Sequence, residues 1–179
     1  MSLLAEVLRV LERERVPHAL IGAAALAIHG VSRSTADIDL LSVDATILQG
    51  QAWGELERPG RVLRVLKGDA EDPLAGSVRL AEGSEIVDVV VGRYAWQREI
   101  IETAEPLSLG ELKVPVARPA GLVLLKLYAG GPKDAWDIRA LLEVSDHAAD
   151  IEAEVESVVL RLPADAKRLW SRLRDERQA

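Results

Sequence analysis

Cysteine is absent from the 179 residues, and so is phenylalanine. The first absence excludes disulfides, thiolate zinc sites and cysteine nucleophiles together, and three scattered histidines cannot assemble a His-rich metal site. Any metal must therefore be held by oxygen. The second absence leaves four Trp and two Tyr as the aromatic complement, so the core is expected to be Leu, Val, Ile and Ala. No apolar run approaches the ~20 residues that span a bilayer, and no charged-then-apolar leader is visible. A membrane is therefore not expected, and the cytoplasm is. Positive charge is also in short supply. A net charge of −7 argues against broad attraction to a nucleic-acid backbone, which depends on many Lys and Arg contacts to phosphate. It leaves room for a local basic groove. What remains, 49% hydrophobic and 28% charged residues, is ordinary for a globular domain, and the length suits one domain, or one domain with a small appendage.

The most informative stretch is Asp37-Ile38-Asp39-Leu40. In an extended run its two carboxylates project to one side, roughly 6–7 Å apart, while Ile38 and Leu40 face the core. Such a pair repels itself unless a cation or proton intervenes, and hard oxygen ligands suit Mg²⁺ or Mn²⁺. Ahead of it, Ala19 to Ile21 reads as a short strand. Gly22 is then a turn, and an Ala-rich helix runs on until Gly30 stops it. A strand turning through glycine into a helix presents free backbone N–H groups, for which phosphate is the natural occupant. Ser32, Arg33, Ser34 and Thr35 add hydroxyls and one cation near the same mouth.

Elsewhere, Ser2 caps a helix to Arg15 with Leu4, Val7, Leu8 and Leu11 on one face. Asp44 caps a second helix reaching about Trp53. Strands are expected at 61–66, at 77–80 and 85–91 as a hairpin across Ala81-Glu82-Gly83-Ser84, and at 105–116 as a hairpin turning at Gly110. A helix spans 94–102. Pro119 opens another through Tyr128, Gly130-Gly131-Pro132 breaks it, and Lys133 to Glu143 forms the next. That break aims Lys126, Lys133, Asp134 and Asp137 at a common region, with the two acids one turn apart. Of 22 basic residues only five are lysine, so two in one short segment are informative. Residues 143–156 carry six acids and no Lys or Arg, and 161–177 carry six Lys or Arg against three acids. The C-terminal segment reads as a solvated helix with Leu162, Leu169, Trp170 and Leu173 inward, or as a basic surface for RNA or a phosphorylated partner.

Gly22-Ala23 followed, after thirteen residues, by Asp37-Ile38-Asp39 resembles the signature of the minimal nucleotidyltransferases of the polymerase-beta superfamily. Ala23 departs from the Gly or Ser usual there, which would weaken triphosphate binding or mark a degenerate copy. The resemblance asks for a third carboxylate inside an apolar strand, and Ile86-Val87-Asp88-Val89 supplies Asp88. Lys126 with Lys133-Asp134-Ala135-Trp136-Asp137 is similar to the helical lysine and Lys-Asp-x-x-Asp motif of the AbiEii and MenT-like branch, the nucleotidyltransferase toxins of type IV toxin–antitoxin systems. Each element alone has a plainer reading: a solvated strand end, a turn, a snorkelling lysine, helix N-terminal charge. Their order and spacing carry the inference.

The resemblance implies an α/β (α+β) nucleotidyltransferase fold, a short mixed sheet with helices, with residues 1–118 as core and 119–179 as a helical region packed on it in one compact unit. It implies a metal-dependent transfer of a nucleoside monophosphate from a nucleoside triphosphate to an acceptor hydroxyl. Asp37, Asp39 and Asp88 would hold Mg²⁺ or Mn²⁺. Gly22, Ala23, Arg33 and Thr35 would hold the triphosphate, and Lys126 would neutralise its charge. Lys133 would join the nucleotide site, with Asp134 and Asp137 orienting the lysines or the sugar. A tRNA 3′ end, a protein and a small molecule all remain open as acceptors. A catalytically degenerate partner in a toxin–antitoxin pair is the alternative to an enzyme.

Overall fold

A computed structural model describes residues 2–32 and 37–178. Arg33 and Thr35, expected at the phosphate site, lie outside them. The order of elements is α1 (Leu3–Arg13), β1 (His18–Ile21), α2 (Gly22–Ile28), β2 (Asp37–Ser42), two short 3₁₀ helices (Ala45–Gln49 and Gln51–Leu56), β3 (Arg61–Lys67), β4 (Gly76–Glu82), β5 (Glu85–Val91), α3 (Ala95–Glu102), β6 (Glu105–Leu109), β7 (Leu112–Val116), α4 (Pro119–Ala129), α5 (Pro132–Val144), α6 (Ala148–Val159) and α7 (Ala164–Gln178). The chain forms two compact units, Met1–Ala24 with Ser34–Ala117, and Ala25–Arg33 with Arg118–Ala179.

The first unit is built on one seven-stranded mixed sheet in the order β3-β4-β5-β2-β1-β7-β6. β2 runs parallel to β5 and β1 parallel to β7, while the other neighbours are antiparallel. The fold class is thus the expected mixed α/β one. α1 packs against β4 and β5, and α3 against β1 and β2. Val78, Leu80, Val87, Val89, Leu40 and Leu20 are fully or almost fully buried. Their neighbours in the alternation, among them Asp37, Asp39, Ser77, Asp88 and Val90, are only half-buried. Period-2 alternation therefore sends the aliphatic residues to the core and the acids to the other face.

Two local details differ from expectation. The helix after Asp44 is two 3₁₀ turns broken at Gly50, whose φ of 76° no helix accommodates. Asp44 still caps, accepting from the Thr46 backbone N–H at 2.9 Å. The β4–β5 hairpin turns on Gly83-Ser84 alone, so Glu82 pairs with Glu85 and Arg79 with Asp88.

In the second unit α4 contacts α5, α6 and α7. It is apolar almost all round, as a helix enclosed on several sides must be. Leu122, Val123, Leu124 and Leu127 are buried, and Lys126 is the one charged residue along it. The acidic α6 and the basic α7 pair with each other. Glu156 accepts from Trp170 Nε1 at 2.8 Å and binds Arg174, and Arg177 Nε lies 2.9 Å from Glu152. Leu162, Trp170 and Leu173 are buried, as the solvated-helix reading expects.

Candidate active site

Gly22 follows β1 directly and begins α2 with φ +68°, a conformation that L side chains rarely adopt. A Cβ placed there would stand 2.1 Å from Oδ2 of Asp39. Glycine at this position therefore makes the space in which the Asp39 carboxylate sits. Ala23 follows it, half-buried, as the second residue of α2.

Asp37 and Asp39 project from one face of β2, and β5 lies beside it in parallel register with Asp39 directly opposite Asp88. Like charges at directly opposed positions destabilise a sheet, so this arrangement calls for a cation. Arg79 of β4 supplies one. Its Nε and Nη2 donate to Oδ1 and Oδ2 of Asp88 at 2.8 and 2.7 Å, and Nη2 lies 3.6 Å from Oδ2 of Asp37. Hydrogen bonding to Asp88, then the Asp88 charge, with smaller contributions from Asp37 and Asp39, raises the Arg79 pKa above its ordinary value. The next strand continues the row, because Arg64 of β3 is directly opposite Arg79. One line across the sheet thus reads Asp39, Asp88, Arg79, Arg64.

The donor set suits a hard divalent cation, since every candidate ligand is a carboxylate oxygen. Asp37 and Asp39 share a face, Asp88 is the register partner of Asp39, and Gly22 leaves the room that Asp39 needs. Among the described residues no three Asp, Glu or His side chains already stand together as a ligand set. Both oxygens of Asp88 are turned to the Arg79 fork.

The second unit gathers three of the four residues expected together. Lys126 Nζ lies 2.9 Å from Oδ1 of Asp134 and 2.9 Å from Oδ2 of Asp137. Asp137 is 1% exposed, and Asp134 also accepts from the Gly131 backbone N–H at 2.9 Å, fixing the start of α5. Burial works against the Lys126 charge, but the two carboxylates outweigh it and hold its pKa above the ordinary lysine value. Lys133 is exposed and stands outside this group. Both acids are ion-pair partners of the one lysine.

Arg79 is the residue that sequence reasoning missed. The hairpin was legible, but its register was not: a four-residue turn over 81–84 pairs Arg79 with Ile86, whereas the two-residue turn at Gly83-Ser84 pairs it with Asp88. In the two-residue turn Glu82 faces Glu85, an opposition of like charges that is unfavourable by itself. Arg58 and Arg61 both bind Glu82 and lift that objection.

No family model matches the chain, and no curated protein matches it in sequence. Solved structures do share its architecture. A crystal structure of ANT(2'')-Ia in complex with adenylyl-2''-tobramycin superposes with a TM-score of 0.55 at 19% identity, covering 89% of this chain and 96% of that one. The fold is the nucleotidyltransferase fold. The solution structure of the same antibiotic-resistance factor gives 0.53 at 16% identity over 88% and 90% of the two chains. The lincosamide antibiotic adenylyltransferase LnuA, bound to lincomycin, gives 0.50 at 14% identity over 79% and 96%. No helix among the described residues is long and apolar enough to cross a membrane.

Proposed function

We propose that the protein is a metal-dependent nucleotidyltransferase, moving a nucleoside monophosphate from a nucleoside triphosphate to an acceptor hydroxyl. The observation that carries this is the Asp37, Asp39 and Asp88 row on adjacent parallel strands, with Gly22 vacating the space beside Asp39, on a fold shared with adenylyltransferases. All four residues belong to the first unit.

Asp37 and Asp39 would hold Mg²⁺ or Mn²⁺, and Asp88 would complete the set. Bound there, the cation would neutralise phosphate charge and acidify the acceptor hydroxyl. Gly22 and the Ala23 backbone would approach the triphosphate without a side chain in the way. The acceptor oxygen forms a bond to the α-phosphorus, and the bond from that phosphorus to the bridging oxygen breaks. Pyrophosphate leaves with the electron pair, while the hydroxyl proton is taken up at the Asp88 carboxylate. Ala23 removes a hydroxyl from the phosphate turn but not a backbone N–H, so it weakens nucleotide binding without removing the site.

The acceptor is the finer part of the reading. The neighbours' acceptors are antibiotics, and a small-molecule hydroxyl is one class to test. The Lys126, Asp134 and Asp137 motif that resembles the AbiEii and MenT-like toxins favours a tRNA 3′ end, with a cognate antitoxin as partner. The test is incubation of the protein with each nucleoside triphosphate labelled at the α-phosphate, Mg²⁺, and in turn total RNA, cell lysate or an antibiotic panel, beside Asp37→Ala. Label on one acceptor class, lost in the variant, is expected. A folded wild type that labels nothing from any nucleotide would overturn the reading in favour of a non-catalytic partner with the same fold.

A further inference from the structure

Arg79 lies against Asp88 and 3.6 Å from Asp37, on the sheet face that also carries Asp39, and no signature in the sequence assigns it a part. Its position follows from hairpin register alone, since the two-residue turn at Gly83-Ser84 sets it directly opposite Asp88. The guanidinium meets Asp88 fork to fork at 2.8 and 2.7 Å, which takes up both oxygens in the geometry that a bidentate arginine pair favours. It also lies 3.6 Å from Asp37.

We propose that Arg79 is the resident counter-cation of the Asp37, Asp39 and Asp88 cluster and a positioning residue for the transfer reaction: a divalent cation displaces it from Asp88, and the freed guanidinium passes to a phosphate of the incoming nucleotide. The proposal rests on the nucleotidyl-transfer reading of the same site.

The chemistry is an exchange between two ion pairs. One is internal, Arg79 with Asp88. The other arrives already made, because a nucleoside triphosphate travels with its divalent cation. Recombined, the hard cation meets hard carboxylate oxygens, and the planar fork of the guanidinium meets phosphate oxygens, for which it is equally suited. No charge is left unpaired at any stage, so the exchange avoids the large cost of stranding a desolvated ion.

Two further observations make Arg79 releasable. Its side chain is 46% exposed, and ion pairs at that exposure contribute little to stability. Arg64, exposed on the edge strand β3, opposes it directly, and like charges in that relation repel. Once Asp88 is released, the same repulsion favours an anion between the two arginines. Arg64 and Arg79 together then offer two guanidinium groups to one phosphate, on the side of Asp88 away from Asp39.

Calorimetric titration of Mn²⁺ alone, then of Mn²⁺ with a non-hydrolysable nucleoside triphosphate, tests this on the wild type, Arg79→Gln and Arg79→Lys, with thermal melting to verify that each is folded. The wild type is expected to bind Mn²⁺ weakly alone and much more tightly with nucleotide. Arg79→Gln is expected to bind Mn²⁺ alone about tenfold more tightly and to lose most of the metal–nucleotide coupling, at the lower end of usual coupling strengths because the pair is solvent-exposed. Arg79→Lys, charged but without the fork, falls between. Equal Mn²⁺ affinity in wild type and Arg79→Gln, weaker binding in the variant, or no Mn²⁺ binding by either would overturn the exchange. The transfer reading fails separately. Tighter Mn²⁺ binding in Arg79→Gln from a wild type that transfers no label would uphold the exchange and reject the transfer. Label transfer with unchanged Mn²⁺ affinity would do the reverse.

Discussion

Asp39 sits where a side chain on residue 22 would have to be, 2.1 Å from the position of the missing Cβ. Gly22→Ala therefore acts twice. It imposes a left-handed φ on alanine, at about 1–3 kcal/mol, and it pushes the Asp39 carboxylate off its place. The expected outcome is a lowered melting temperature together with loss of Mn²⁺ binding, read by melting and calorimetry on the same sample. Asp37→Asn separates these effects. Asp37 is 41% exposed on its side chain, so the change should leave stability within about 0.5 kcal/mol while abolishing transfer. Gross unfolding of Asp37→Asn would show that the acid is structural. The two positions also differ in how plainly the sequence shows them. The Asp-x-Asp pair announces itself by period alone, but the reason for glycine at 22 is a contact across seventeen residues that no local pattern contains.

At the scale of elements, the strands and helices were largely legible, because aliphatic alternation and glycine or proline breaks mark their ends. Register and long-range ion pairs were not. Arg61 reads from sequence as the start of a strand; in the fold its side chain is fully buried and binds Glu6 on α1 at 3.0 Å and Glu82 on β4 at 2.6 Å, with Arg58 joining both acids. Hydrogen bonds from Arg58 and Arg61 hold the Glu82 carboxyl down at about 2, against an ordinary value of 4.5, and the hydrogen bond from Arg61 leads in lowering Glu6 as well. A carboxyl depressed in the folded state contributes stability in full above its unfolded value and loses it as pH falls through the folded one. The melting temperature should thus decline between pH 4.5 and about 2, and Glu82→Gln should lower it at neutral pH and flatten that decline. An unchanged slope in the variant would remove the network from the account. In the second unit Lys126 is the cation between Asp134 and the buried Asp137. Lys126→Met strands that buried acid and should cost about 3–5 kcal/mol, with Asp137→Asn in the same chain recovering part of it. Melting of the single and double variants decides this without reference to activity.

At the scale of the molecule, the nucleotidyltransferase fold was readable because four short motifs fall in one order along residues 22–137. Two compact units are delimited along the chain, 1–24 with 34–117 and 25–33 with 118–179. Sequence did not show that the acidic and basic C-terminal stretches neutralise each other as α6 and α7. That internal pairing occupies arginines which, read as a free surface, had suggested RNA. The acceptor was beyond reach because it is set by the chemistry of an exposed face and not by any periodic signal. In the proposed reaction the carboxylate row of the first unit transfers the α-phosphoryl group and not the γ. Parallel reactions with one nucleoside triphosphate labelled at the α- or at the γ-phosphate, each with wild type and Asp39→Asn, test it most directly. α-Label on the acceptor and γ-label in released pyrophosphate are expected, both abolished in the variant. γ-Label on the acceptor, or transfer that survives Asp39→Asn, would contradict it.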